Sequence, residues 1–172
     1  TLFRSEDECP SSMVGTIAAF ESILLCTPRP WTKEETAFLE AGARFLIGRR
    51  LMRGSPTKHN AAERISAEQW LQVCFPRFYY YDVLRGLSAL LIWAEKTAAD
   101  VPANAVEDVV NHLRRRFPDD IVRCERLSYA GIGTIFRAPT GEWIKQRPAP
   151  LASVFPSMLK SNELILLQCP LK

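Results

Sequence analysis

Trp70-Leu-Gln-Val-Cys-Phe-Pro-Arg-Phe-Tyr-Tyr-Tyr-Asp-Val-Leu-Arg-Gly-Leu87 is the stretch on which the fold turns. Proline cannot continue a helical ladder, and it pushes the residue before it into extended backbone, so Phe75-Pro76 breaks the chain sharply. The Asp82 side chain is placed to accept an orphan N–H at the start of a new helix. That helix should run from Val83 to about Ala98. Leu84, Leu87, Leu91 and Ala94 share one face of it, with Val83 and Leu90 flanking, a wide apolar arc suited to packing on two sides. Leu84, Leu87 and Leu91 are therefore expected in the core. Before the break, Ser66-Ala-Glu-Gln69 has the spacing of a capping box and predicts a short helix over 66–74.

The same grammar extends toward the N-terminus. Thr32-Lys-Glu-Glu35 is another capping-box pattern, opening a helix to about Met52 with Phe38, Ala41, Phe45 and Leu46 as its buried stripe. Arg44, Arg49, Arg50 and Arg53 suit its C-terminal end. Ser11 or Ser12 caps a helix over 13–26, carrying Ile17, Phe20, Ile23 and Leu24, which Thr27-Pro28-Arg29-Pro30 stops. Beyond Asp100-Val-Pro102, Asn104-Ala-Val-Glu107 predicts a helix over 104–116 with Val106, Val109, Val110 and Leu113 inward. Residues 1–10 read as an irregular acidic lead-in.

After Pro118 the character changes. Ile121 to Cys124, Ile132 to Phe136 and Trp143-Ile144 are short β-favouring runs, and Pro139-Thr-Gly141 is turn chemistry. A small hairpin or extended C-terminal part is expected there. Residues 147–157 carry too many prolines to assign, and 157–167 fits helix or strand. The expected architecture is mainly α: a helical-hairpin array over 11–117, then a mixed, irregular part over 118–172, in a single domain spanning 1–172.

The aromatic corner carries a resemblance. The segment Phe75-Pro-Arg-Phe-Tyr-Tyr-Tyr-Asp-Val-Leu-Arg-Gly-Leu87, preceded by Phe45-Leu-Ile-Gly-Arg-Arg-Leu51 and entered through Trp31-Thr-Lys-Glu-Glu35, resembles bacterial proteins related to the terpenoid cyclase and prenyltransferase α/α-toroid superfamily. The resemblance covers roughly residues 9–98 and implies a partial α/α toroid. It brings no catalytic motif: the chain has no DxDD proton donor, no Gln/Trp-rich repeats and no zinc-ligand pattern around His59 or His112. What it implies is architecture.

The rest of the sequence narrows the functional classes. A net charge of +3, from 22 Lys+Arg and 19 Asp+Glu, is too small to mark a nucleic-acid or anionic-membrane partner. No apolar run reaches the ~18 residues of a membrane span. Arg114-Arg115-Arg116 suits the dipole at a helix end. Ser12 to Gly15 and Ser128 to Gly133 lack the order of a phosphate loop. Cys9, Cys26, Cys74, Cys124 and Cys169 are odd in number and widely spaced, without CxxC. They read as buried or half-buried free thiols in a reducing, cytoplasmic setting. His59 in a polar loop and His112 in a basic helix end read as solvated. No metal and no cofactor are expected. The chain begins at Thr1, so its N-terminus is processed, trimmed or cut from a longer chain.

Two functions follow. In the first, the chain is a non-catalytic module binding a protein or a hydrophobic small molecule through an aromatic-lined concave face. Tyr79, Tyr80 and Tyr81 are its contacts, and Arg77, Asp82 and Arg85 supply polar orientation. In the second, it is an enzyme of the cyclase or prenyltransferase kind, or another toroid-scaffold enzyme, with Asp82 as acid. Against both stands a structural reading, in which the tyrosines wedge two helices together and Asp82 is only a cap. An intermediate arrangement turns one tyrosine to the core and another outward.

Overall fold

Each helix starts where the chain offers an oxygen to an orphan N–H, and the computed structural model of the chain, which describes residues 11–75, 77–127, 134–146 and 167–168, shows which offers are taken. Ser12, in extended backbone, accepts from the N–H of Gly15 (3.0 Å) and opens α1 (Met13–Cys26). Met13, Ile17, Phe20 and Leu24 form its buried stripe, and Ile23 is half-buried beside them. Thr32 and Glu35 close both bonds of the capping box that opens α2 (Lys33–Gly48). Arg29 donates twice to the Glu35 carboxylate, and that bond, with the Thr32 N–H, holds its pKa down at about 2.

The buried stripe of α2 differs from expectation. Leu39, Gly42, Ala43 and Leu46 face inward, while Phe38, Ala41 and Phe45 are half-buried at the edge. The cause is the close approach of α1. A Cβ at Gly42 would lie 2.7 Å from the Phe20 ring, so the glycine row faces that ring and the phenylalanines move to the flank. The helix also stops at Gly48 rather than near Met52. Arg50 and Leu51 take left-handed φ angles of 49° and 59°, costly for residues with a side chain. Tertiary contacts hold them: Leu51 is fully buried, and Arg50 donates to the Asn104 carbonyl (3.0 and 2.8 Å) and pairs with Asp108.

The third helix is displaced from its expected place. α3 spans Ala61–Trp70, so Ser66 lies mid-helix and its hydroxyl donates to the carbonyl of Ala62 instead of capping. What anchors α3 is long-range. Glu63 accepts from the N–H of Met13 (2.6 Å), and Trp70 meets Tyr81 edge-on at 5.2 Å. Burial raises the Glu63 pKa. The folded chain therefore holds that proton more tightly than the unfolded chain does. Folding gains from this below the ordinary value of 4.5 and loses the gain as pH rises through the raised value. The melting temperature should fall as the pH rises through that window, and Glu63→Gln should abolish the fall. Glu35 and Asp119, whose pKa values are lowered, act in the opposite sense and below 4.5.

α4 (Val83–Thr97) is the central element, packing on α1, on α2 and on α5 (Ala103–Arg116). Asp82 caps it as expected, and Ala98 ends it in the left-handed region. Val83, Leu84, Leu87, Leu90 and Trp93 are buried, whereas Leu91 is 49% exposed. Placing Leu91 in the core was thus incorrect: the neighbours of α4 are centred on the Val83–Leu90 row, and one residue is a 100° turn. Leu87→Ala should cost about 2–5 kcal/mol, read from chemical denaturation. In α5, Pro102 precedes the first turn and no side chain caps it, so Asn104 is not the cap. Ala105, Val109 and Leu113 are buried, with Val106 and Val110 half-buried.

The fold is mainly α with a small β part. β1 (Cys74–Phe75) pairs in parallel with β3 (Arg126–Leu127), and β2 (Ile121–Val122) pairs antiparallel with β6 (Leu167–Gln168). β4 (Thr134–Arg137) and β5 (Trp143–Gln146) form the expected hairpin, with Gly141 at φ +89° in its turn. Residues 1–10, Pro76, 128–133, 147–166 and 169–172 lie outside the described residues, and with them Cys9, Cys169 and the segments left open as helix or strand.

Candidate functional site

Three identical tyrosines in a row have no local reason to differ, yet the corner sorts them. Tyr81 turns inward and is almost wholly buried, and its hydroxyl donates to the Leu51 carbonyl (2.7 Å). Burial, followed by the charges of Asp82 and Glu63, raises its pKa well above the usual value. A Cβ at Gly86 would lie 2.0 Å from that hydroxyl, so α4 passes Tyr81 only because residue 86 is glycine. Tyr79 turns outward and is 62% exposed; its ring stacks on Tyr80 at 4.4 Å, and its hydroxyl donates to that of Tyr80 (3.1 Å). This bond raises the Tyr80 pKa. The wedge and the display are therefore carried by different tyrosines.

The charged residues of the corner act as its frame. Asp82 is fully buried. One of its oxygens accepts from the N–H of Arg85 (2.7 Å), the other from the N–H of Cys74 (3.1 Å) and from Arg77 Nε (3.0 Å). A carboxylate with three donors and no exposed surface is committed to holding the turn. Arg85, 6% exposed, grips Glu21 of α1 and donates to the carbonyls of Phe78 (3.1 Å) and Tyr80 (2.6 Å). Those bonds fix the backbone on which the aromatic side chains stand. Phe78 itself is at φ +43° and 64% exposed, and Phe75 is also exposed.

Three participants were not read from the sequence. Arg126 lies with its guanidinium 5.3 Å over the Tyr80 ring, brought there by the β1–β3 pairing. Glu21 neutralises Arg85 from a helix more than sixty positions away. Glu125 adds a tether: it accepts from the Val73 N–H (3.1 Å) and from Arg116, and its own N–H donates to the Val73 carbonyl (2.8 Å). No pattern in the sequence signals pairings between two-residue strands.

A concavity of about 400 Å³ lies at the end of α2, lined by Phe45, Arg49 and Pro56 among others, and none of the corner residues faces it. Cys26, expected buried or half-buried, is exposed at the end of α1, where the helix turns that residue outward; Cys74 is buried, and burial raises its pKa. His59 is exposed, and His112 Nε2 is bonded to the Leu71 carbonyl (2.9 Å). Among the described residues, no helix is long and apolar enough to cross a membrane. No family model matches the chain, and neither a curated protein nor a solved structure matches it.

Proposed function

We propose that the chain is a non-catalytic recognition module that takes a protein partner on the open aromatic surface of Phe75, Phe78, Tyr79 and Tyr80. The observation that carries this is Phe78. A phenylalanine at positive φ is strained, and here the strained residue is 64% exposed while Arg85 clamps its carbonyl. Rigid aromatics give large contact area at small entropic loss, and clusters of them dominate interface energetics. Arg126 borders the surface with positive charge, which favours a partner segment carrying an acid next to apolar or proline residues. The toroid-like resemblance without catalytic motifs supports the same reading, as does the full engagement of Asp82 by three donors.

Selection from a random peptide display library tests it. Peptides enriched on the wild type should lose about thirtyfold or more in affinity with Phe78→Ala and Tyr79→Ala. Both changes should shift stability by no more than about 0.5 kcal/mol, as for surface positions. Enriched peptides that bind these variants and the wild type equally would refute the assignment.

A further inference from the structure

We propose that the concavity at the end of α2 is a second binding site, for a small organic anion with a flat apolar body. Its volume, about 400 Å³, is in the range that small molecules fill. Its cationic lining is Arg44, Arg49 and Arg53, and among the described residues that line it there is no acid. Phe45 and Pro56 give it an apolar wall. Anion and flat body are thus both provided for, which separates this site from a generic basic surface.

The three arginines differ in role. Arg49 is the fixed one: it is 7% exposed, donates to the Gly54 carbonyl (2.8 Å) and lies 5.3 Å over the Phe45 ring. Glu63 offsets part of its charge. Arg44 faces Glu40 at 4.0 Å with both side chains mostly exposed, a pairing weak enough for a ligand to displace. Arg53 is exposed, and among the described residues no carboxylate lies within ion-pair distance of it. The N–H of Arg53 donates to the Arg49 carbonyl (2.8 Å), so the left-handed turn at Arg50 and Leu51 brings the chain back beside the helix and closes the basin. That strain serves the concavity as the strain at Phe78 serves the aromatic corner.

Gly48 supplies the control. It lines the concavity, and a Cβ there would meet nothing within 4 Å. Gly48→Leu therefore adds a bulky side chain at the basin with a Cβ that meets no neighbour. The experiment is titration of the full chain with 1-naphthyl phosphate, followed by calorimetry and by amide shifts in NMR, with inorganic phosphate and 1-naphthol as comparisons. Saturable one-to-one binding is expected, with shifts at Gly48, Arg53 and Gly54, and affinity should fall as salt is added. Arg44→Gln and Arg53→Gln should each weaken it about tenfold. Gly48→Leu should abolish it with a melting temperature no lower than that of the wild type. The proposal fails if 1-naphthyl phosphate does not bind by 1 mM, if either comparison compound binds as tightly, or if Gly48→Leu binds like wild type. Peptide capture at the aromatic corner is unaffected by these variants, so the two sites stand or fall separately.

Discussion

Tyr81→Ala is expected to destabilise the chain by about 3–5 kcal/mol, in line with truncation of buried aromatics. The ring fills the space between α3 and α4 and meets Trp70 edge-on, and its hydroxyl satisfies the carbonyl of Leu51. That carbonyl belongs to a left-handed residue, so its loss also loosens the turn after α2. A companion variant isolates the steric part. Gly86→Ala places a methyl group against the same hydroxyl and should cost about 1–3 kcal/mol or more by overpacking. In the Tyr81→Phe background the penalty of Gly86→Ala should shrink, because the oxygen nearest the new methyl is gone. Denaturant midpoints of the four proteins give the coupling, and strict additivity would show that the two residues do not meet.

Asp82→Ala should cost a similar amount, about 3–5 kcal/mol, by a different route. Removing one partner of a buried ion pair leaves the other charge uncompensated. Here Arg77 loses its acceptor, α4 loses its cap, and the buried N–H of Cys74 loses its partner. Asp82→Asn keeps acceptor oxygen but not charge and should lie between the alanine variant and wild type. Urea unfolding of both variants measures the difference. A near-neutral Asp82→Ala would mean that the carboxylate is not the pin of the corner, and would reopen its use as an acid.

The helices were legible wherever both ends carry their own chemistry. Residues 13–26 have Ser12 in front and Thr27-Pro28 behind, and the helix occupies that span. The hairpin was legible for the same reason, since Pro139-Thr-Gly141 can hardly be anything but a turn. The third helix was misplaced because Ser66-x-x-Gln69 is locally indistinguishable from a cap, while the contact that sets its start, Glu63 with Met13, joins residues fifty apart. Leu91 was misplaced because helical spacing fixes a face only to within about one residue. At the corner, residue types indicated a display surface, but which tyrosine is displayed depends on Arg85 and Arg126 reaching in from other elements. A pattern of neighbours along the chain contains no term for such contacts. The basin at the end of α2 escaped notice for a related reason: four arginines near a helix end look like dipole compensation until the chain turns back and gathers three of them, Arg44, Arg49 and Arg53.

The central position of α4 has a consequence for synthesis. α1 and α2 leave the ribosome before α4, and their apolar stripes face a helix that is not yet made. At about 5–20 residues per second, the interval between completing α2 at Gly48 and completing α4 at Thr97 is roughly several seconds. During it the nascent pair can bury Phe20 against Gly42, but the faces that await Leu87 and Leu90 stay open to chaperones. Translation speed between those two points, more than the final contacts, sets how long the newborn chain is exposed to aggregation.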